Sequence, residues 1–266
     1  MTDKSRFQFG ENWHNFASSI NDSQILEAKE ALCDLLQVNS LENESFLDAG
    51  CGSGIVSLAA LELGASKVHS FDYDQNSVNT TESLVSYNYP EGSSSVEQGS
   101  LTDTEYLESL GKFDTVYSWG VIHHTGAMWA VAESLPSLVN PGGRLVVAIY
   151  NDQGILSTLW LKIKRFYVSS PSFVQKLMAV GYLIPTWVGA NLKSLLRKRR
   201  LRRKRPRGMT AWHDAVDWVG GYPFEVASRE EVISFFEQRG FSEENVVSVG
   251  RKQGCNQFVF RKSNNS

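Results

Sequence analysis

The feature that most constrains this chain is a glycine-rich turn between a short apolar run and a helical pattern, in the stretch FLDAGCGSG at residues 46–54. Gly50, Gly52 and Gly54 allow the backbone to turn sharply and to approach a ligand closely. Backbone amides at the start of the following helix favour a negatively charged group. The turn therefore predicts a ligand site at the carboxyl end of the first strand of a parallel sheet.

Short apolar runs alternate with helix-length segments along the chain, which is typical of βαβ units and a parallel sheet. Ser228 and Glu231 form a capping-box pattern that predicts a helix through Phe236, stopped by Gly240. Strands are predicted near 45–49, 67–71, 94–98, 113–118, 143–149, 243–249 and 256–261, and helices near 24–37, 54–63, 75–87, 102–110 and 127–138. The last two strands are expected to form an antiparallel hairpin at one edge of the sheet.

The segment between the fifth predicted strand and the capping box is far longer than an ordinary loop, which predicts an insertion with its own structure. Ile155, Leu159, Ile163 and Phe166 fall on one helical face, and a second apolar segment is interrupted by Pro185. The predicted organisation is an N-terminal helical segment or lid at 1–43, a core at 44–151 and 226–262, and a helical cap at 152–225 with a basic segment at 193–207.

The residues around the turn leave two ligand classes open, a dinucleotide and S-adenosylmethionine. The spacing is GxGxG, whereas the dinucleotide fingerprint is GxGxxG. Asp48 would repel a pyrophosphate but can accept from an ammonium group, which favours S-adenosylmethionine. Asp72 ends the second predicted strand and can take both ribose hydroxyls, a role that serves either class.

Four motifs in order carry a family resemblance: FLDAGCGSG, VHSFDYD, FDTVYSWGVIHHTG and LVNPGGRLVVAIYN. They resemble the class I S-adenosylmethionine-dependent methyltransferases, especially the ubiquinone-biosynthesis-like (type 11/12) branch. The resemblance covers 44–151, with a fitting closing helix and hairpin at 228–261. It implies an α/β, Rossmann-like sheet of seven strands, mostly parallel, with an antiparallel C-terminal hairpin and a helical insertion after strand five.

The resemblance also implies S-adenosyl-L-methionine as the cofactor and a set of binding residues. The chain departs from many relatives after the third strand, where Ser100 stands in place of an acid that would meet the adenine amine. The implied cofactor-binding residues are Asp48, Gly50, Cys51, Gly52, Gly54, Asp72, Tyr73, Ser100, Leu101 and Trp119.

Two histidines follow the fourth strand, on the side from which acceptor-facing residues come in this fold. We expect His124, more than His123, to act as a general base, because a histidine can take a proton near neutral pH; the alternative is that both only tie down the loop. Trp13 and His14 are expected to close over the cofactor. No metal is expected. The predicted acceptor-site residues are Tyr150, Asn151, His213 and Tyr222, with Asp152 and Asp214 beside them.

The net charge of −3 conceals a basic segment, because ten of the 26 Lys and Arg residues lie between Lys193 and Arg207. This segment follows an apolar stretch, which favours peripheral membrane contact through 177–207 over nucleic acid; a solvated loop is the alternative. Three widely spaced cysteines and no secretory-signal pattern favour a cytoplasmic location.

The leading functional hypothesis is a methyltransferase acting on a small-molecule acceptor, lipid-soluble, quinone-like or lipid-linked. The alternatives left open are an RNA or tRNA methyltransferase, a dinucleotide-dependent dehydrogenase, and a non-catalytic S-adenosylmethionine-binding protein. The sequence alone does not select the acceptor, because specificity in this fold lies in loops.

Overall fold

A computed structural model describes residues 7, 9, 20–89, 92–196 and 211–264. Seven strands form one sheet in the order β3-β2-β1-β4-β5-β7-β6, in which β7 runs antiparallel to both β5 and β6. The fold class expected from the sequence is confirmed. The strands are β1 Ser45–Ala49, β2 Lys67–Asp72, β3 Ser94–Gln98, β4 Phe113–Trp119, β5 Val139–Tyr150, β6 Phe241–Val247 and β7 Cys255–Lys262.

The helices in the described residues flank the sheet or form the cap. Short 3₁₀ segments at Ile122–His124 and Leu135–Leu138 follow β4 and precede β5. The helices are α1 Asp22–Leu36, α2 Ile55–Glu62, α3 Gln75–Asn88, α4 Thr104–Ser109, α5 Met128–Ser134, α6 Ile155–Ser169, α7 Ser172–Leu196, α8 Ala211–Gly220 and α9 Arg229–Glu237.

One helix boundary is set by local side-chain hydrogen bonds, and two strand boundaries are set by long-range pairing. The Ser228 hydroxyl accepts from the Glu231 amide, and the Glu231 carboxylate accepts from the Ser228 amide, so the predicted capping box is confirmed. Strand β5 begins four residues before its predicted start, because Val139 pairs with Phe113. Strand β6 begins two residues before its predicted start and pairs Phe241 with Lys262. Both errors come from long-range pairing.

The apolar core has two parts, one on each face of the sheet. One part packs strand residues such as Val147 and Phe258 against α4, α5 and α9, including Phe236. The other packs Phe46 and Val146 against α1, α2 and α3. This two-faced burial explains why the central strands read as nearly continuous apolar runs.

The cap consists of α6, α7 and α8, and α8 packs against both other helices. The predicted interruption at Pro185 is wrong, because α7 runs without a break through that residue. Proline removes one amide donor, and here that loss does not end a helix of 25 residues. Within the described residues, no helix is long and apolar enough to cross a membrane.

Candidate active site

The glycine turn is held by backbone and side-chain groups at the end of β2. The amides of Gly50 and Cys51 donate to the Phe71 carbonyl at 2.8 and 3.1 Å. The Gly52 amide donates to Asp72 Oδ2 at 3.0 Å. These hydrogen bonds attach the turn after β1 to the end of β2 and fix its shape in the ligand-free protein.

Two of the three glycines are required by packing within the protein. A Cβ at Gly50 would lie 2.5 Å from Cγ2 of Val121, and one at Gly54 would lie 2.8 Å from the backbone of Thr81. Both glycines also have positive φ angles of 93° and 77°. Val121 and Thr81 thus give a structural reason for glycine at both positions, and the cofactor-binding role expected for these glycines stays a prediction.

The start of α2 offers an anion site of the kind expected from the sequence. Gly54 is its N-cap and offers no side chain to the first amides of the helix, although the Asp48 carboxylate is hydrogen-bonded by the backbone of Ser57 in that first turn. Uncapped amides at a helix N-terminus favour a carboxylate or another anion. This arrangement fits the amino acid end of S-adenosylmethionine.

Asp72 connects the glycine turn to the following helix. Its Oδ1 accepts from the Asp74 amide at 2.9 Å, while its Oδ2 accepts from Gly52. Burial raises the pKa of Asp72 to about 6, against the lowering effect of these amides. A carboxylate has four lone-pair directions, so it can still accept from ribose hydroxyls. The neighbouring Tyr73 is 64% exposed, and its packing by the adenine stays a prediction.

Asp48 lies beneath the turn in a buried polar chain. The Ser57 hydroxyl donates to Asp48 Oδ2 at 2.6 Å, and the Ser70 hydroxyl donates to Ser57 Oγ at 2.9 Å. Burial raises the pKa of Asp48 to about 7. Cys51 is also buried, and the Thr81 hydroxyl donates to its Sγ at 3.2 Å.

The residues predicted for the adenine side occupy different environments. Ser100 exchanges a 2.8 Å hydrogen bond with the Thr102 hydroxyl. The Leu101 side chain is buried in the core, so only its backbone could meet a cofactor. The Trp119 indole donates to Gln257 on β7 at 2.9 Å, which directs it across the sheet. Their cofactor roles stay predictions.

The two histidines lie in the 3₁₀ segment after β4 and contact Tyr150 at the end of β5. The His123 ring is buried, with its centroid 4.1 Å from that of Tyr150. His124 Nδ1 lies 2.7 Å from the Pro223 carbonyl. Because a carbonyl only accepts, Nδ1 carries the proton in this contact and Nε2 keeps its lone pair. Phe9 packs on the His124 ring at 4.8 Å.

The other predicted acceptor-site residues are not all brought to this cluster. Asn151 Nδ2 donates to the Gly250 carbonyl, and its Oδ1 accepts from Asn256, so it ties β5 to the turn between β6 and β7. Tyr222 accepts from Arg165 of α6 at 3.4 Å. The side chains of His213 and Asp214 lie outside what the structure describes, as do Trp13, His14 and residues 197–207.

A cavity of about 500 Å³ lies beside Asn151. Asp152 lines it together with Ser228 and Arg229 at the start of α9. The Asp152 amide donates to the Ala227 carbonyl at 3.1 Å, which joins this loop to α9. Asn151 and Asp152 therefore border a different space from the histidine cluster.

Sequence reasoning missed Lys164, which lies on α6 with its side chain fully buried. Its Nζ lies 4.6 Å from the ring centroid of Trp218, 4.9 Å from Phe224 and 5.5 Å from Tyr150. It also donates to the Trp218 carbonyl. Burial lowers the pKa of Lys164 to about 7. The only sequence signal was a lysine on the side of α6 that Ser157 and Tyr167 also occupy.

Comparison with known proteins identifies the family. A model described as ribosomal protein L11 methyltransferase (PrmA) matches residues 28–179, more than half of the chain. The chain belongs to the PrmA family. Its family and its sheet topology are those of the class I S-adenosylmethionine-dependent methyltransferases, and the cofactor expected from the sequence is the methyl donor that this class uses.

Curated relatives match this chain over part of its length. A ribosomal protein L11 methyltransferase of Prochlorococcus marinus (strain MIT 9515) is 42% identical over 89 residues, covering 33% of this chain and 26% of that protein. A ubiquinone biosynthesis O-methyltransferase of Parvibaculum lavamentivorans is 30% identical over 123 residues, covering 44% and 45%. The matched segments therefore span less than half of these relatives.

Solved structures support the fold of this chain. Magnesium protoporphyrin IX methyltransferase from Synechocystis PCC 6803 with bound SAH superposes with a TM-score of 0.53 at 17% identity, covering 90% of this chain and 83% of that one. At this identity the likeness shows the fold alone. Among the described residues, no group of three His, Cys, Asp or Glu side chains could hold a metal ion.

Proposed function

We propose that the protein transfers a methyl group from S-adenosylmethionine to a small acceptor that carries a titratable proton, bound at the cluster of His123, His124 and Tyr150. The observation that carries this proposal is the 2.7 Å contact between His124 Nδ1 and the Pro223 carbonyl. It holds the imidazole in the tautomer whose Nε2 can accept a proton. The same contact makes His124 a stronger candidate base than the buried His123.

For this reaction the protein mainly has to align the methyl donor with the acceptor and remove the acceptor proton. When bound, S-adenosylmethionine supplies a methyl group on a sulfonium centre, which is already a good leaving group. Asp72 would hold its ribose, and the amides at the start of α2 would hold its carboxylate. His124 Nε2 would take the acceptor proton, and the aromatic rings around Tyr150 would exclude water from the acceptor.

The aromatic surroundings favour a small, flat acceptor over a protein side chain. Tyr150 contacts Trp218 and Phe224 with ring centroids 5.1 and 5.2 Å apart. These rings belong to the cap and to the loop after α8, beyond the 28–179 segment that the PrmA model matches. The PrmA model therefore gives no information on these two rings. The match to a ubiquinone-biosynthesis enzyme supports a quinone-like acceptor.

A second candidate function is methylation of a protein, with ribosomal protein L11 as the acceptor. The family match favours it, together with the 42% identity to an enzyme of that name. The low coverage of that enzyme speaks against a shared acceptor, since 26% of its length is matched.

The two candidates are separated by supplying purified protein with radiolabelled S-adenosylmethionine and either ribosomal protein L11 or a small-molecule extract containing quinone precursors. Label in the organic-soluble fraction that disappears with His124→Ala supports the proposal. Label in L11 alone supports the second candidate. Binding of S-adenosylhomocysteine by both the wild type and His124→Ala shows that the cofactor site is intact in the variant.

A further inference from the structure

The outward surface of the cap is apolar where a water-facing surface should be polar. Nine of the thirteen exposed large apolar side chains among the described residues belong to the cap helices, although these helices are a small part of the chain. Large exposed apolar patches on a monomer mark interaction sites. The nine are Ile155, Leu156, Leu159, Phe166, Phe173, Leu177, Val180, Ile184 and Trp212.

Helix α7 concentrates this surface in one stripe. Phe173, Leu177, Val180 and Ile184 follow each other at intervals of four, three and four residues, which places them on one face. Phe173 is 72% exposed and Leu177 is 69% exposed. We call these four residues the cap stripe.

The opposite face of α7 already packs on the protein. Gln175 donates to the Tyr167 carbonyl at 3.1 Å, Ala179 is fully buried, and the Tyr182 hydroxyl accepts from Gln253 at 3.0 Å. The helix therefore has its inward side satisfied, and the cap stripe has no core to fill. The apolar face of α6 shows the same inversion, since Ile155 is 88% exposed.

The charge of residues 153–213 indicates which kind of partner covers the cap stripe. Residues 153–213 contain fourteen Lys and Arg residues and no Asp or Glu, whereas the rest of the chain has twelve basic against 29 acidic residues. Lys176 is exposed on α7 between Phe173 and Leu177. Large apolar side chains combined with a strong excess of positive charge complement an anionic lipid surface, with the apolar groups among the acyl chains and the cations near the headgroups.

We propose that the cap stripe docks the protein on anionic membrane surfaces. The helix lies in the interface, because no helix of the described residues is long and apolar enough to span a bilayer. Three of the four side chains of the stripe are aliphatic and only Phe173 is aromatic, which favours lipid over RNA, whose binding sites combine cations with several stacking aromatic residues. The inference does not depend on which acceptor is methylated.

The test is co-sedimentation of the full chain with vesicles of equal parts phosphatidylcholine and phosphatidylglycerol, and with vesicles of phosphatidylcholine alone. We expect binding to the mixed vesicles, weakened by salt, and much weaker binding to the neutral ones. The double substitution Phe173→Ser with Leu177→Ser should weaken binding by about tenfold or more, because both groups leave the lipid. Leu26→Ser is the matched control, since Leu26 is 55% exposed on α1, outside the cap.

Three results would overturn the proposal. The first is equal sedimentation with both vesicle types or with neither. The second is unchanged binding of the double variant, which would assign any membrane contact to charge alone. The third is that light scattering finds a dimer for the wild type and a monomer for the double variant. A second copy of the chain would then be the occupant of the stripe. Calorimetric binding of S-adenosylhomocysteine reports that each variant is folded, and separates this result from the methyltransferase assignment.

Discussion

The Asp72 carboxylate accepts the backbone N–H of Gly52 with one oxygen and that of Asp74 with the other, at 3.0 and 2.9 Å. One side chain thus shapes the turn after β1 and the turn after β2. The same carboxylate is the group that would hold the cofactor ribose. Its position is therefore set by the backbone, and binding requires little rearrangement of the turn.

Replacement of Asp72 by Ala should weaken S-adenosylhomocysteine binding by about a hundredfold, because it removes the ribose acceptor and leaves the amides of Gly52 and Asp74 without this partner. Isothermal calorimetry measures this loss. Asp74→Asn is the control, since Asp74 accepts from the Asn76 amide as an N-cap and Asn fills that role equally well. Equal affinity of Asp72→Ala and wild type would remove Asp72 from the site.

Asp48 should make the stability of the free protein depend on pH. Its pKa is raised by burial from 3.8 to about 7, so between these values the folded chain binds a proton that the unfolded chain does not. The free energy of unfolding should therefore fall as pH rises through this window, by up to about 4 kcal/mol. Denaturant titrations across the window should show that Asp48→Asn lacks this fall.

Asp103→Asn serves as the control for Asp48→Asn. Asp103 caps α4 by accepting from the Tyr106 amide, and Asn preserves that cap at the surface. Its pH profile should follow that of the wild type. Parallel profiles for the wild type and Asp48→Asn would contradict the assignment of a buried, protonated Asp48.

Lys164 should make the free energy of unfolding rise with pH, between about pH 7 and the pKa of an ordinary lysine. Burial lowers its pKa from 10.5 to about 7, so in this range the unfolded chain binds the extra proton and stability rises with pH, by up to about 5 kcal/mol. Asp217 and Cys255 face the amine and oppose this shift. Lys164→Met should flatten the rise in denaturant titrations.

The matched control for Lys164 lies two residues away on α6. Lys162 is exposed, so Lys162→Met should leave the pH profile as it is in the wild type. If both methionine variants kept the same rise with pH, another group would be responsible for it. Far-ultraviolet circular dichroism checks that each variant is folded before the comparison is made.

His124→Ala should lower kcat by about a hundredfold or more and leave cofactor binding within about twofold of wild type, if Nε2 removes the acceptor proton. The assay is turnover of the acceptor found in the extract experiment, followed as a function of pH. His124→Gln is informative as well, because its amide can donate to the Pro223 carbonyl without supplying a base. A His124→Gln variant with wild-type kcat would show that the histidine only anchors the loop.

Sequence reasoning reached the helices and strands whose signals are local. Ser228 and Glu231 sit three residues apart, so their reciprocal capping could be read directly, and the strand β1 ahead of the glycine turn was placed to the residue. The start of β5 was missed because Val139 pairs with a residue 26 positions earlier. The break expected at Pro185 was wrong, because α7 continues through that residue to Leu196.

By itself, the sequence determined the alternation of strands and helices, the glycine turn and the two carboxylates beside it, because each depends on neighbours along the chain. Only the tertiary structure decided that Val121 fills the space at Gly50, that Lys164 lies among three aromatic rings, and that the cap stripe faces outward. The physical reason is that burial and pairing depend on which distant segments meet. A helical apolar face has the same spacing whether a core or a membrane covers it.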